Sequence, residues 1–127
     1  MDVIEKWHEL VRERDMSGLA VILAPEATFE SPVVHTPQEG RTVTLKYLTS
    51  AMRLLNNETF HYLGEWRAPG SAVLEFACEI DGVRINGVDM IWWNDEGQIT
   101  RFKVMIRPLK AINLLHHKMG ELLAQAQ

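Results

Sequence analysis

Asp89 is the residue in this chain whose type and surroundings best suit chemistry. It stands in the run GVDMIWW, with apolar or aromatic neighbours on both sides. A carboxylate in such a strand is costly, because an unpaired charge removed from water loses its solvation. Burial favours the protonated acid and raises its pKa, so the group becomes a hydrogen-bond donor closer to neutral pH. Carboxylates perturbed in this way mark functional sites. Two other readings stay open: a buried bond that only fixes the core, or an exposed Asp89 if the strand register is shifted by one. His35 is the second candidate. It lies in the loop VVHTPQEG, just past Ser31, and imidazole titrates near neutrality, as a general base must. Its alternative is an exposed loop histidine. Ser31, His35 and Asp89 do not read as a nucleophile triad, because no G-x-S-x-G turn surrounds Ser31. A hydroxyl that bonds a ligand or caps the loop fits Ser31 better.

The stretch Ile80–Pro108 has to position Asp89. Asp81–Gly82 is a strong two-residue hairpin turn. It pairs Ile80 with Val83, Cys78 with Ile85, Phe76 with Gly87 and Leu74 with Asp89. Residues directly opposite share a face. One face therefore carries Leu74, Phe76, Cys78 and Ile80 with Ile85, Asp89, Ile91 and Trp93. The other carries Glu75, Ala77 and Glu79 with Arg84, Asn86 and Val88. Asp89 falls on the apolar side. At the next turn, Asn94–Gly97, a four-residue loop pairs Trp93 with Gln98. It puts Phe102, Val104 and Ile106 on the face of Asp89 and leaves Arg101 and Lys103 outside. A three-residue loop does the reverse, so the four-residue loop is expected.

The rest of the chain reads as helices followed by strands. Residues 2–14 form a first helix, with Asp2 as cap, Glu5 as its capping-box partner, and Val3, Trp7, Leu10 and Val11 on one face. Ser17 can cap a short helix from Gly18 to Leu23, ended by Pro25. Ala27–Ser31 reads as a strand broken by Pro32. A third helix spans about Thr42 to Leu55, with Leu45, Leu48, Met52 and Leu55 as its buried stripe. From Thr59 the period becomes 2: Phe60, Tyr62 and Trp66 mark one strand, Pro69–Gly70 a turn, and Ser71–Ile80 the next strand. Pro108 opens a final helix with Leu109, Ile112, Leu115, Met119 and Leu122 on one side. His116 and His117, adjacent on that helix, do not point together. Helices first and then an antiparallel meander indicate an α+β fold, residues 1–127 forming a single domain.

Composition excludes several classes. The chain has 127 residues, 46% hydrophobic and 24% charged, with a net charge of −4 and both signs scattered. No basic stripe suggests nucleic acid, and no apolar run approaches the roughly 20 residues of a membrane span. The acidic N-terminus is unlike a secretory signal. The lone Cys78 reads as a small buried hydrophobe, so a cytoplasmic setting is expected. No H-E-x-x-H, cysteine cluster or glycine-rich phosphate loop occurs, so neither metal nor cofactor is expected. Trp92 and Met90 point to the outer face of the sheet, where a large apolar pair suggests a covered surface and hence a homodimer.

The order of elements, the ATFESPV segment, the loop closing at Gly40 and the DMIWWNDEGQI strand–turn–strand resemble the nuclear transport factor 2-like superfamily, in its SnoaL-like and ketosteroid isomerase-like branch. The resemblance spans nearly the whole chain. It implies a cone: a curved antiparallel sheet wrapped around the N-terminal helices, with an added C-terminal helix and a deep apolar pocket. Family isomerases use an Asp base after the first strand, a Tyr on the first helix and a protonated Asp on a late strand. That protonated acid is a known worked case. Asp89 matches the late-strand acid by its distance to Gly97. Ser31 stands where the base would be and Trp7 where the Tyr would be. Ser31 cannot act as a carboxylate base, and Trp7 offers one indole N–H and no hydroxyl. The resemblance therefore implies an apolar pocket with Asp89, Trp7 and His35 as catalytic candidates. Its walls would be Phe29, Ser31, Tyr47 and Met52 from the first half of the chain. Leu74, Phe76, Ile91, Phe102, Val104 and Ile106 would add the sheet side. The implied ligand is a small apolar carbonyl or epoxide compound, for an isomerase, cyclase or hydrolase. The alternative is a non-catalytic ligand-binding or dimerisation module. Arg84-Ile85-Asn86 is a poor match to the Arg–Asp pair of limonene epoxide hydrolases, because Asn86 and Asp89 have opposite parity.

Overall fold

The computed structural model describes residues 2–125. Helix α1, Val3–Glu13, starts on Asp2, whose carboxylate accepts the Glu5 N–H at 2.8 Å. Val3, Ile4, Trp7 and Val11 are its buried face. A 3₁₀ turn, Met16–Gly18, is capped by Asp15, and not by Ser17, and leads into the four-residue α2, Leu19–Ile22. Strand β1 then runs Leu23–Glu30. Pro25 does not end a helix; it is exposed within β1, where the pairing with the neighbouring strand is irregular. This is the kind of position at which a strand tolerates a residue without an N–H. The following loop holds a two-residue strand β2, Gln38–Glu39.

Helix α3, Arg41–Leu55, packs on β1. Leu48, Met52 and Leu55 are buried, and Leu45 is half-buried beside them. Thr44 is also fully buried, because its hydroxyl donates to the Ala27 carbonyl at 2.9 Å and ties the helix to the strand. The meander follows as β3 (His61–Ala68), β4 (Ser71–Ile80), β5 (Val83–Trp93) and β6 (Ile99–Arg107), and α4 (Leu109–Gln125) closes the described chain. The sheet order is β2-β1-β6-β5-β4-β3. All neighbours are antiparallel except β1 and β6, which run parallel and make the sheet mixed.

The β4–β5 register is the one expected from the turn, with Leu74 opposite Asp89 and Ile80 opposite Val83. The β5–β6 register differs. Trp93 pairs with Ile99, not Gln98, and Asp89 pairs with Val104. The pairing shifts between Trp92 and Trp93, leaving Thr100 as an extra residue on β6. A bulge restores the parity that a shifted turn would lose. Phe102, Val104 and Ile106 therefore still face inward with Asp89, while Arg101 lies over the Trp92 ring outside, 4.3 Å from its centroid.

A second bulge has larger consequences. Tyr62 pairs with Phe76, but Gly64 pairs with Glu75, which leaves Leu63 extra and exposed. Tyr62 thereby faces inward, whereas Trp66, opposite Val73, faces outward and is 59% exposed. The two aromatics expected on one strand thus serve opposite faces. On α4, Leu115 is buried and Ile112, Met119 and Leu122 are half-buried, as expected, whereas Leu109 is exposed and Ala111 takes a buried place beside the stripe. Cys78 is buried among apolar residues, which pushes its thiol up to about 11. Among the described residues, no helix is long and apolar enough to cross a membrane.

Candidate functional site

Asp89 lies on the inner face and is 2% exposed. Burial pushes its carboxyl up to about 7, and a hydrogen bond from Tyr62 pulls in the other direction. The Tyr62 hydroxyl donates to Oδ2 at 3.0 Å. The same hydroxyl accepts the indole N–H of Trp7 at 2.9 Å. The result is one directed relay: Trp7 N–H to Tyr62 O–H to the Asp89 carboxyl. Burial and the neighbouring Asp89 raise the Tyr62 phenol well above its ordinary value, so it remains a donor. Among the described residues, no fully sealed side-chain polar atom lacks a partner. The bond from Tyr62 ends on Oδ2.

Three elements hold this relay. Trp7 is fully buried on α1 and packs at a tilt against Phe102 of β6, ring centroids 4.9 Å apart. Helix α1 is fastened to β3 by Arg67, which donates to Asp2 at 2.7 Å, and by His8, whose Nε2 lies 2.8 Å from Glu65. Tyr62 is held between edge-on rings, His8 at 5.0 Å and Phe60 at 5.1 Å. Such contacts add to simple burial and fix ring orientation.

An apolar pocket of about 190 Å³ opens beside the packed core. Its walls come from the end of β1 and the loop after it, from α3, from β6 and from α4. Of the residues expected to line a pocket, Phe29, Ser31, Tyr47, Val104 and Ile106 do so. Met52, Leu74, Phe76, Ile91 and Phe102 are buried in the packed core and are not on this wall. Asp89 and Trp7 are not on it either. Val104, the cross-strand partner of Asp89, is, so the pocket ends one strand away from the acid. His35 is exposed in the loop, where it adds to the charges that hold the Glu30 carboxyl low, after the larger effect of the Arg101 hydrogen bond. It does not line the pocket. Ser31 is at the rim, with Oγ accepting the N–H groups of Val33 at 3.2 Å and Val34 at 3.0 Å. Among the described residues, no group of three or more metal-ligating side chains converges.

Tyr62 is the member of the relay that sequence reasoning does not single out. A straight count back from Pro69–Gly70 pairs Tyr62 with Ala77 on the outer face. The bulge at Leu63 reverses that, and nothing in the local sequence announces it.

The model of the SnoaL-like domain matches residues 4–102. The chain belongs to the SnoaL-like domain family. A steroid delta-isomerase from Pseudomonas aeruginosa is 35% identical, with a TM-score of 0.92 over 98% of this chain and 90% of that one. An uncharacterised bacterial protein with a cystatin-like fold from Silicibacter pomeroyi is 28% identical, with a TM-score of 0.86 over 94% and 83%. The epoxide hydrolase/cyclase-like enzyme SalBIII, of pyran ring formation in salinomycin, shares the fold at 21% identity and a TM-score of 0.65, over 83% and 88%. No curated protein matches the chain. The SnoaL-like match ends before α4, so the α4 wall of the pocket lies outside the matched region, while the α3 wall lies within it.

Proposed function

We propose that this SnoaL-like protein binds a small, mostly apolar, oxygen-bearing molecule in the pocket between α3 and α4, and isomerises it by moving a proton without a cofactor. The observation that carries the reading is Asp89: an inner-face acid that is 2% exposed, with its carboxyl pushed up to about 7 by burial and oriented through Oδ2 by Tyr62. In its protonated form Asp89 donates a hydrogen bond to the ligand's carbonyl or epoxide oxygen, which the ligand reaches past Val104. Such a preorganised donor stabilises charge that develops on oxygen in the transition state. Trp7 acts through Tyr62, as a positioning residue. The likeness to a steroid delta-isomerase supports the isomerase direction, with cyclase or hydrolase chemistry as variants of the same acid. The pocket, at about 190 Å³, is smaller than the roughly 300 Å³ at which pockets for drug-sized ligands begin. It therefore favours compact ligands.

The test is turnover of compact β,γ-unsaturated ketones, followed by the ultraviolet absorbance of the conjugated product, in wild type and Asp89→Asn. Catalysis by Asp89 predicts a large loss of turnover in the variant, on the order of 100-fold. Equal rates in the two proteins would sink the role given to the acid. The second reading is a non-catalytic binding module. It is favoured by the absence of Asp89 from the pocket wall, and it predicts binding of the same ketones without conversion. For both readings we place the protein in the cytoplasm and pair two copies through the outer face of the sheet, where Trp66 and Met105 are exposed beside Met90 and Trp92.

A further inference from the structure

Nothing in the fold requires Gly120 to be a glycine. Four of the eight glycines, Gly40, Gly70, Gly82 and Gly97, stand at positive φ, where a side chain is strained. Three more are closely approached: a Cβ on Gly18, Gly64 or Gly87 would meet a neighbouring atom at 3.1, 2.9 or 2.6 Å. Gly120 belongs to neither group. It lies inside α4, and among the described residues a Cβ there would meet nothing within 4 Å. A glycine inside a helix is nonetheless destabilising, because its backbone loses the most freedom on folding.

The space left by the missing side chain belongs to the pocket. Gly120 lines it together with Leu115, His116, Met119 and Leu123 of the same helix. The deep walls, such as Phe29, Leu55, Val104 and Leu115, are buried. The exposed members of the lining are Val34, His116 and Gly120, so these three mark where the pocket meets solvent. His116 and Gly120 are four positions apart and therefore neighbours on the helix surface. Helical side chains lean toward the N-terminus of their helix, so any side chain at position 120 would lean toward the His116 ring, over the mouth.

We propose that Gly120 is the specificity-determining residue of this pocket: with no side chain at the rim, it holds the mouth open and sets the width of molecule the pocket admits. The proposal rests on reading the pocket as a ligand site, and not on any reaction there. Apolar walls distinguish weakly between hydrocarbon bodies of similar size. A rim excludes by shape, and a longer side chain at position 120 closes it to a broad molecule before a slender one.

The experiment uses two ketones with the same number of carbons, the bicyclic 2-decalone and the linear 2-decanone. Their binding to the full chain is measured by calorimetry for wild type, Gly120→Ala, Gly120→Leu, Gly120→Phe and Glu121→Leu, with thermal unfolding followed in parallel. Glu121 is exposed on α4 and off the pocket wall, so its variant controls for an added leucine on the helix. Affinity for 2-decalone should fall progressively from alanine to leucine to phenylalanine at position 120, by about tenfold or more at leucine. Affinity for 2-decanone should change much less, and Glu121→Leu should bind both ketones as the wild type does. The Gly120 variants should unfold at the wild-type temperature or above it, since each replaces a glycine within a helix. Binding lost without loss of stability is a signature that a merely structural glycine would not give. Affinity for 2-decalone that is unchanged or raised in Gly120→Leu and Gly120→Phe, or equal losses for the two ketones, overturns the proposal and leaves the pocket reading standing. A wild type that binds 2-decanone alone does the same. A wild type that binds neither ketone rejects the pocket as their site, and the role of Gly120 falls with it.

Discussion

At the scale of single residues, the relay Trp7–Tyr62–Asp89 sets a measurable pH dependence. Asp89 ionises near 3.8 when the chain is unfolded and near 7 when it is folded. Between these values unfolding releases a proton, so stability falls as pH rises from about 4 to about 7 and is level above that. Asp89→Asn lacks this ionisation. The stability difference, variant minus wild type, should therefore grow across that window by an amount on the order of a few kcal/mol. Thermal unfolding at a series of pH values checks it, and parallel curves for the two proteins would contradict it. The inward face of Asp89 was readable because the Asp81–Gly82 turn lets every pair be counted outward. Tyr62 was not, because one extra residue at Leu63 inverts the count, and the sequence around it alternates as smoothly as an unbulged strand.

At the scale of elements, β5 is packed closely against both neighbouring strands at Gly87. A Cβ on Gly87 would stand 2.6 Å from the Met105 carbonyl oxygen and 2.7 Å from atoms of Ile106 and Phe76. One of these is backbone and cannot swing aside. Gly87→Ala should therefore cost roughly 1–3 kcal/mol, the range for overpacked cores. Gly120 on α4 has open space around its Cβ position, and Gly120→Ala should gain up to about 1 kcal/mol from helix propensity. Denaturant unfolding of the two variants gives both signs in one measurement. Element type was largely legible from periodicity, and β4 runs over the expected residues. The errors fell where a local signal had two uses. Pro25 reads as a helix stop but sits inside β1, and the Asn94–Gly97 turn takes a pairing one residue from the expected one, with Thr100 restoring the face.

At the scale of the whole molecule, the outer sheet surface combines Trp66 and Met105, both more than half exposed, with Met90 and the Arg101-covered Trp92. Arg101 also donates to Glu30 of β1 at 2.5 and 3.2 Å, which braces the parallel edge of the sheet. An exposed apolar patch of this kind is a usual site of protein association. Pairing of two copies there predicts that the wild type migrates at twice the chain mass in light-scattering chromatography. Trp66→Lys should shift it to a single chain while leaving the fold intact by circular dichroism. A monomeric wild type at micromolar concentration would rule out this face as a stable interface.

The division of labour between the sheet and α4 also bears on how such a protein diverges. The buried acid relay is made from α1, β3 and β5, inside the region that the SnoaL-like match covers, whereas Leu115, His116, Met119 and Leu123 come from a helix beyond it. Substitutions along one face of α4 can reshape what enters the pocket and which group faces it, without disturbing Trp7, Tyr62 or Asp89. Two chains with the same inner machinery can thus acquire different ligand preferences by exchanging a single helical wall, and α4 is the segment in which selection for a new ligand would first leave its mark.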